Sequence, residues 1–137
     1  MELGKSNYII SEGNPLILIA GGYPKDVMDH VELFDIESKT SCPASVGLDQ
    51  KRYDHSGTGE IVCSGKDEGH RWSSSCYNLT SQNAIYLKSW RPGHCAWSTP
   101  EGIYLMGGEP NNNLNTTELV KFDGTTESAF NLEYRYQ

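Results

Sequence analysis

The chain has 137 residues, of which 36% are apolar and 21% charged, and its formal net charge is −7. That length corresponds to one domain. No Lys/Arg cluster exceeds Lys51-Arg52, which argues against a nucleic-acid partner, and no apolar stretch approaches the length of a membrane span. The start, Met1-Glu-Leu-Gly-Lys5, lacks the apolar core of a signal peptide.

The first clear element is the apolar run Leu16-Ile-Leu-Ile-Ala-Gly-Gly22. A polar loop follows, Tyr23-Pro-Lys-Asp-Val-Met-Asp-His30, and then the segment Val31-Glu-Leu-Phe-Asp35. The same order returns with Ile61-Val-Cys-Ser-Gly65, the loop Lys66-Asp-Glu-Gly-His-Arg-Trp-Ser73, and Ser74-Ser-Cys-Tyr-Asn78. It returns again with Ile103-Tyr-Leu-Met-Gly-Gly108, the Asn-rich loop of residues 109–116, and Thr117-Glu-Leu-Val-Lys121. The closing glycines sit at 22, 65 and 108, a spacing of 43 both times. A fixed period in that range means stacked units. It makes equivalents of Glu32, Ser75 and Glu118, of Leu33, Cys76 and Leu119, and of Phe34, Tyr77 and Val120. The glycine runs predict strands buried on both faces, and the second segments predict alternating, half-exposed strands.

A third signature precedes two of the glycine runs: Arg52-Tyr-Asp-His55 and Arg91-Pro-Gly-His94. It is expected to open each unit as a strand, with Lys5-Ser6 as a worn copy in the first. Arg-x-x-His, then apolar-Gly-Gly, then Val-Glu-Leu-Phe-Asp resembles the kelch repeat of β-propellers, and the resemblance covers nearly the whole chain. It implies an all-β fold of about three four-stranded antiparallel blades, with approximate repeats at 5–51, 52–90 and 91–134 in a single partial domain, 1–137. Residues 135–137 would begin a further repeat. A closed propeller needs four or more blades, so three do not close a ring, and a fragment of a longer propeller is expected. Self-association through open blade edges is the other consequence. The family usually carries a Trp on the outermost strand; here Ser41, Ala84 and Glu127 stand near those positions.

The resemblance implies a non-enzymatic protein-interaction module that grips a protein partner with its loops and needs no cofactor. Two alternatives share the scaffold. One is a fragment of a galactose-oxidase-like copper-radical oxidase, which requires a tyrosine–cysteine crosslink and histidines around copper. The other is the substrate-recognition propeller of a BTB-kelch ubiquitin-ligase adaptor. Loops on a rigid scaffold collect binding residues. The candidates are Tyr23, Asp26 and His30 in the first loop and Asp67, Glu68, His70, Arg71 and Trp72 in the second. Arg and Trp are the residue types enriched at binding hot spots. Trp72 is expected either to contact the partner or to fold back on its blade, and Trp90 and Trp97 to pack between blades. His55 and His94 recur with the repeat, so hydrogen bonding within a blade is expected of them rather than metal binding. No hydrolase arrangement surrounds Ser56.

Cys63 and Cys76 fall on adjacent strands of the middle unit, close enough for a disulfide, with two small buried thiols as the other reading. Their spacing with Cys42 and Cys95 does not match a zinc site. Asn78-Leu-Thr80 and Asn115-Thr-Thr117 are glycosylation sequons. Together with a disulfide they tilt the expectation towards an extracellular protein.

Overall fold

The computed structural model describes residues 6–10, 16–22, 28–108 and 115–133. It contains twelve strands and, among the described residues, no α-helix. The strands are β1 (Ser6–Ile10), β2 (Leu16–Ala20), β3 (Val31–Asp35), β4 (Thr40–Pro43), β5 (Ser56–Thr58) and β6 (Ile61–Cys63). Then come β7 (Ser75–Asn78), β8 (Asn83–Tyr86), β9 (Cys95–Thr99), β10 (Gly102–Met106), β11 (Thr116–Lys121) and β12 (Thr126–Asn131). They form three antiparallel sheets, β1–β4, β5–β8 and β9–β12, each with its strands in chain order. Among the described residues, no sheet closes on itself and no helix is long and apolar enough to cross a membrane. The first strands of the sheets neighbour one another, with β5 against both β1 and β9.

The sheets stack face to face, which explains the burial. Leu18, Ala20 and Val31 of the first sheet pack with Val62 and Tyr77 of the second. The opposite face of the second sheet offers Ile61, Cys63, Cys76 and Ile85 to Ile103, Leu105 and Val120 of the third. All four residues of β7 are therefore buried, as are residues 117–120 of β11. The half-exposed alternation expected of these strands does not occur: a sheet covers each face of β7, and β11 packs on the second sheet through Val120. Exposure is concentrated instead on the outer strands β4, β8 and β12. Ser41, Ala84 and Glu127 all lie on them.

A second correction concerns Arg-x-x-His. It is not a strand; it is the approach to one, and the small residues after it form β5 and β9. Its conformation frees the arginine to turn inward. Arg52 donates to the carbonyls of Ser64 and Ser75 at 3.0 and 3.1 Å and pairs with Asp49 at 2.7 Å. Arg91 donates to the carbonyls of Gly107 and Thr116 at 2.9 and 3.3 Å and pairs with Glu118 at 3.3 Å. Each arginine thus ties together the two chain segments that leave the sheet at the glycine loop. The histidines bridge sheets rather than staying within one. His94 donates from Nδ1 to the Arg91 carbonyl and accepts at Nε2 from the Ser56 hydroxyl of the second sheet. His55 packs against the end of β2 in the first, where a Cβ on Gly21 would lie 2.9 Å from its Cε1.

The 43-residue period fails once. Leu33 pairs with Leu18 and Leu119 with Tyr104, but Cys76 pairs with Cys63 rather than with Ile61. The connection between paired strands covers 21–30 and 107–116 in the outer sheets and 64–75 in the middle one, two residues more. Ser75 is therefore the counterpart of Thr116, not of Glu118, and both bond the arginine of their own sheet. The slip sets the two cysteines opposite each other, and their sulfurs form a disulfide of 2.07 Å. Such a short-loop bridge stabilises by about 2–4 kcal/mol.

The glycines that close β2, β6 and β10 are required by the backbone. Gly22, Gly65 and Gly108 have φ of 119°, 92° and 89°. A Cβ at Gly108 would lie 2.9 Å from the Pro92 carbonyl oxygen, and one at Gly65 2.7 Å from that of Tyr53. Ser64 takes the left-handed conformation of Gly21 and Gly107 at φ 62°. Gly108→Val is expected to cost about 3 kcal/mol or more, from strain and displacement of the Arg91 segment. His70→Ala, at an exposed position, is expected to cost about 1 kcal/mol. Urea denaturation of the two variants checks the order; equal losses would contradict it.

Candidate functional site

The connection between β6 and β7 holds most of the candidate residues. Lys66 anchors it by exchanging two backbone hydrogen bonds with Tyr53, at 2.7 and 3.0 Å. The carboxylate of Asp67 then organises the tip, accepting from the N–H of Gly69 at 2.8 Å and of Arg71 at 3.0 Å. It also accepts from Arg71 Nε at 3.0 Å and Nη2 at 2.9 Å. These bonds, the Arg71 N–H first, hold the Asp67 carboxyl below its usual range. Both carboxylate oxygens are occupied, so Asp67 shapes the loop and fixes the arginine.

Trp72 folds back. Its ring stacks on Trp90 at 6.2 Å and 14°, and the Lys66 ammonium lies 4.4 Å above it. It is half-buried and ties the middle sheet to the segment entering the third. Trp90 thus packs on the β6–β7 connection. Trp97 does not: it is 65% exposed on β9, because the side of β9 it occupies looks away from the second sheet. His70 has φ 59° and bonds Tyr53 through Nδ1. Glu68 pairs with Lys51. His30 is exposed ahead of β3, away from this loop. Tyr23 and Asp26 lie outside the described residues.

What remains outward is Arg71, whose side chain is 82% exposed, above a cavity of about 390 Å³. Asp49, Gln50, Trp72 and Ser73 line it, together with Ser75 and Tyr86. Gln50 donates to the Ser73 hydroxyl at 3.0 Å, and the Ser73 and Ser75 hydroxyls bond at 2.9 Å. Tyr86, 76% exposed on β8, is not among the residues that the repeat pattern singles out. The sequence signal for it is strand alternation: in Asn83-Ala-Ile-Tyr86 the inward place falls to Ile85, which is buried, and its neighbour Tyr86 turns outward. A similar hollow of about 280 Å³ occurs beside Arg91 and Glu118, where Lys88 and Ser128 replace Asp49 and Ala84. The cavity is therefore a product of the repeat. The arginine, tryptophan and tyrosine around the middle one are particular to it.

The charges here are internally balanced: Asp49 with Arg52, Asp67 with Arg71, Glu68 with Lys51. Such a surface suits a neutral polar ligand, with hydroxyl and amide groups to meet a peptide backbone and two aromatic rings to meet side chains. Among the described residues, no three His, Cys, Asp or Glu side chains converge as metal ligands would. Of the sequon asparagines, Asn78 is buried in the β7–β8 turn and accepts from the N–H groups of Thr80 and Ser81 at 2.9 and 3.0 Å. Asn115 is half-buried ahead of β11. No protein-family model matches the chain, and comparison with curated proteins gives no match either.

Proposed function

We propose that the three sheets are blades of a kelch-type β-propeller and that the chain is a protein-interaction module without chemistry of its own. The support for the scaffold is the stack of four-stranded sheets with neighbouring first strands and a recurring Arg-x-x-His clasp. The support for binding is the cavity beneath Arg71 and Tyr86, an exposed arginine held in place by Asp67 and an exposed phenol around a floor of hydroxyls. Arginine and aromatic residues dominate interface energetics, and a peptide strand is the partner these groups fit.

Arg71→Ala and Tyr86→Ala are the variants that test it. Each is expected to change stability by less than about 0.5 kcal/mol, and together to weaken partner binding at least tenfold. Partner capture by the intact chain and by the double variant, compared by quantitative mass spectrometry, reads the difference. Equal capture by both would remove the site. Trp72→Ala is the poorer probe, since it breaks the stack on Trp90.

The disulfide favours the extracellular setting over the cytosolic adaptor, because such bonds persist in oxidising compartments. For the oxidase alternative it leaves Cys42 and Cys95, both exposed, as the thiols among the described residues.

A further inference from the structure

We propose that the free edge of β8 takes up an extended peptide of a partner protein as a fifth strand of the middle sheet. This edge does not depend on what lies beyond the described sheets, since the middle sheet has a neighbour on each face. Two bonds show which way its backbone groups point. The Leu87 N–H donates to the Ser74 carbonyl at 2.8 Å, and the Ser75 carbonyl accepts from the Ser64 N–H at 2.8 Å, turned to β6 rather than β8. Backbone groups alternate in direction along a strand. Ile85 and Leu87 therefore bond β7, whereas the N–H and C=O groups of Ala84 and Tyr86 point away from it. The Tyr86 carbonyl is met at 3.4 Å by the Thr126 hydroxyl of the third sheet. The Ala84 N–H and C=O and the Tyr86 N–H form the open row.

Outer edges invite such pairing unless proline, charge or a bulge blunts them. β4 ends in Pro43, and β12 carries Glu127 and shifts its register against β11 between Thr116 and Glu118. β8, Asn83-Ala-Ile-Tyr86, has none of these devices and pairs with β7 in unbroken register. The two sides of the edge specify the peptide. Ala84 and Tyr86 line the cavity beneath Arg71. A peptide side chain on that side meets an exposed phenol, against which a β-branched residue packs well across strands. On the other side stands exposed Lys88, whose ammonium meets the Ser128 hydroxyl at 3.0 Å and pairs with no carboxylate among the described residues. An acidic residue next to the β-branched one complements it. The β8 of a second copy brings no carboxylate, which favours a foreign peptide at this edge.

The inference rests on the peptide-binding reading above and adds the strand edge to it. A capped hexapeptide alternating valine with glutamate serves as the probe, titrated into the intact chain and followed by NMR. Binding is expected to slow hydrogen exchange at the Ala84 and Tyr86 amides. The same peptide with lysine in place of glutamate is expected not to bind. Ala84→Pro removes an outward N–H and leaves the β7 ladder whole. It is expected to weaken the probe about tenfold with the circular dichroism unchanged. Lys88→Glu is expected to weaken the glutamate peptide and to admit the lysine one, and it decides the matter if Ala84→Pro unfolds the chain. No binding at millimolar concentration, protection gained away from β8, or binding indifferent to both variants would each overturn the proposal. A dimer of the chain that Ala84→Pro dissociates would also overturn it, by placing a second copy at the edge. Binding that needs Arg71 and Tyr86 side chains but ignores Ala84→Pro and Lys88→Glu keeps the cavity and removes the edge; the reverse pattern keeps the edge and removes the cavity.

Discussion

Acidification from pH 7 to pH 4.5 is expected to remove several kcal/mol of stability, much of the 5–15 kcal/mol typical of a domain. Burial holds His55 and His94 neutral, down to pKa values of about 4 from the 6.5 of an exposed histidine. The positive charge of Arg52 beside His55 and of Arg91 beside His94 acts in the same direction. Above pH 6.5 both folded and unfolded chains carry neutral rings, and the full contribution is present. Between 6.5 and about 4 the unfolded chain takes up protons that the folded chain refuses, so stability falls as pH falls through that window. Each histidine accounts for up to about 3 kcal/mol. Protonation of His94 would also oblige the Nε2 that now accepts from Ser56 to donate instead. Urea titrations at pH 7, 5.5 and 4.5 measure the slope, and His94→Gln is expected to halve it. A stability independent of pH across this range would mean that the two rings are not held neutral between the sheets.

The second large effect is expected at Glu118. Its side chain is 1% exposed and that of Arg91 5% exposed; the carboxylate accepts from Arg91 Nε at 3.3 Å and from the Lys88 N–H at 2.8 Å. Glu118→Ala leaves a buried guanidinium without its counterion and a backbone N–H without its acceptor. A loss of about 3–5 kcal/mol is expected. Replacing both partners, Arg91→Met with Glu118→Leu, is expected to recover a large part of it, because the desolvation of two charges is then avoided. Asp49→Ala in the middle sheet should cost less, since Asp49 is 26% exposed and water can replace it. Thermal unfolding of the three variants ranks them. A Glu118→Ala loss below about 1 kcal/mol would show that the pair behaves as a surface ion pair.

The middle sheet shows why this pair occurs once among the described residues. The position opposite Leu105 in the third sheet is Glu118, and the position opposite Val62 in the second is Tyr77. Arg52 consequently has no acceptor for Nε among the described residues and turns Nη2 to Asp49. Counting by 43 places Ser75 where Glu118 stands. The two extra residues of the 64–75 connection, held by the Asp67 turn, displace it. A period in sequence fixes which residues are strands but not how far one strand slides along the next.

The residues alone determined the number and kind of elements here. Apolar runs ending in glycine at 22, 65 and 108 predict strands that terminate where only glycine accepts the backbone, and β2, β6 and β10 end there. The closeness of Cys63 and Cys76 was also legible, as a consequence of adjacent antiparallel strands. Tertiary structure alone decided burial and exposure. β7 is covered by a neighbouring sheet on each face, Trp72 turns on to Trp90 while Trp97 is left outward, and Tyr86 joins the cavity from a strand that shows no binding motif. The physical reason is range. Strand propensity and glycine geometry act between neighbours in the chain, whereas the side on which a residue meets solvent is set by whichever sheet, distant in sequence, comes to lie against it.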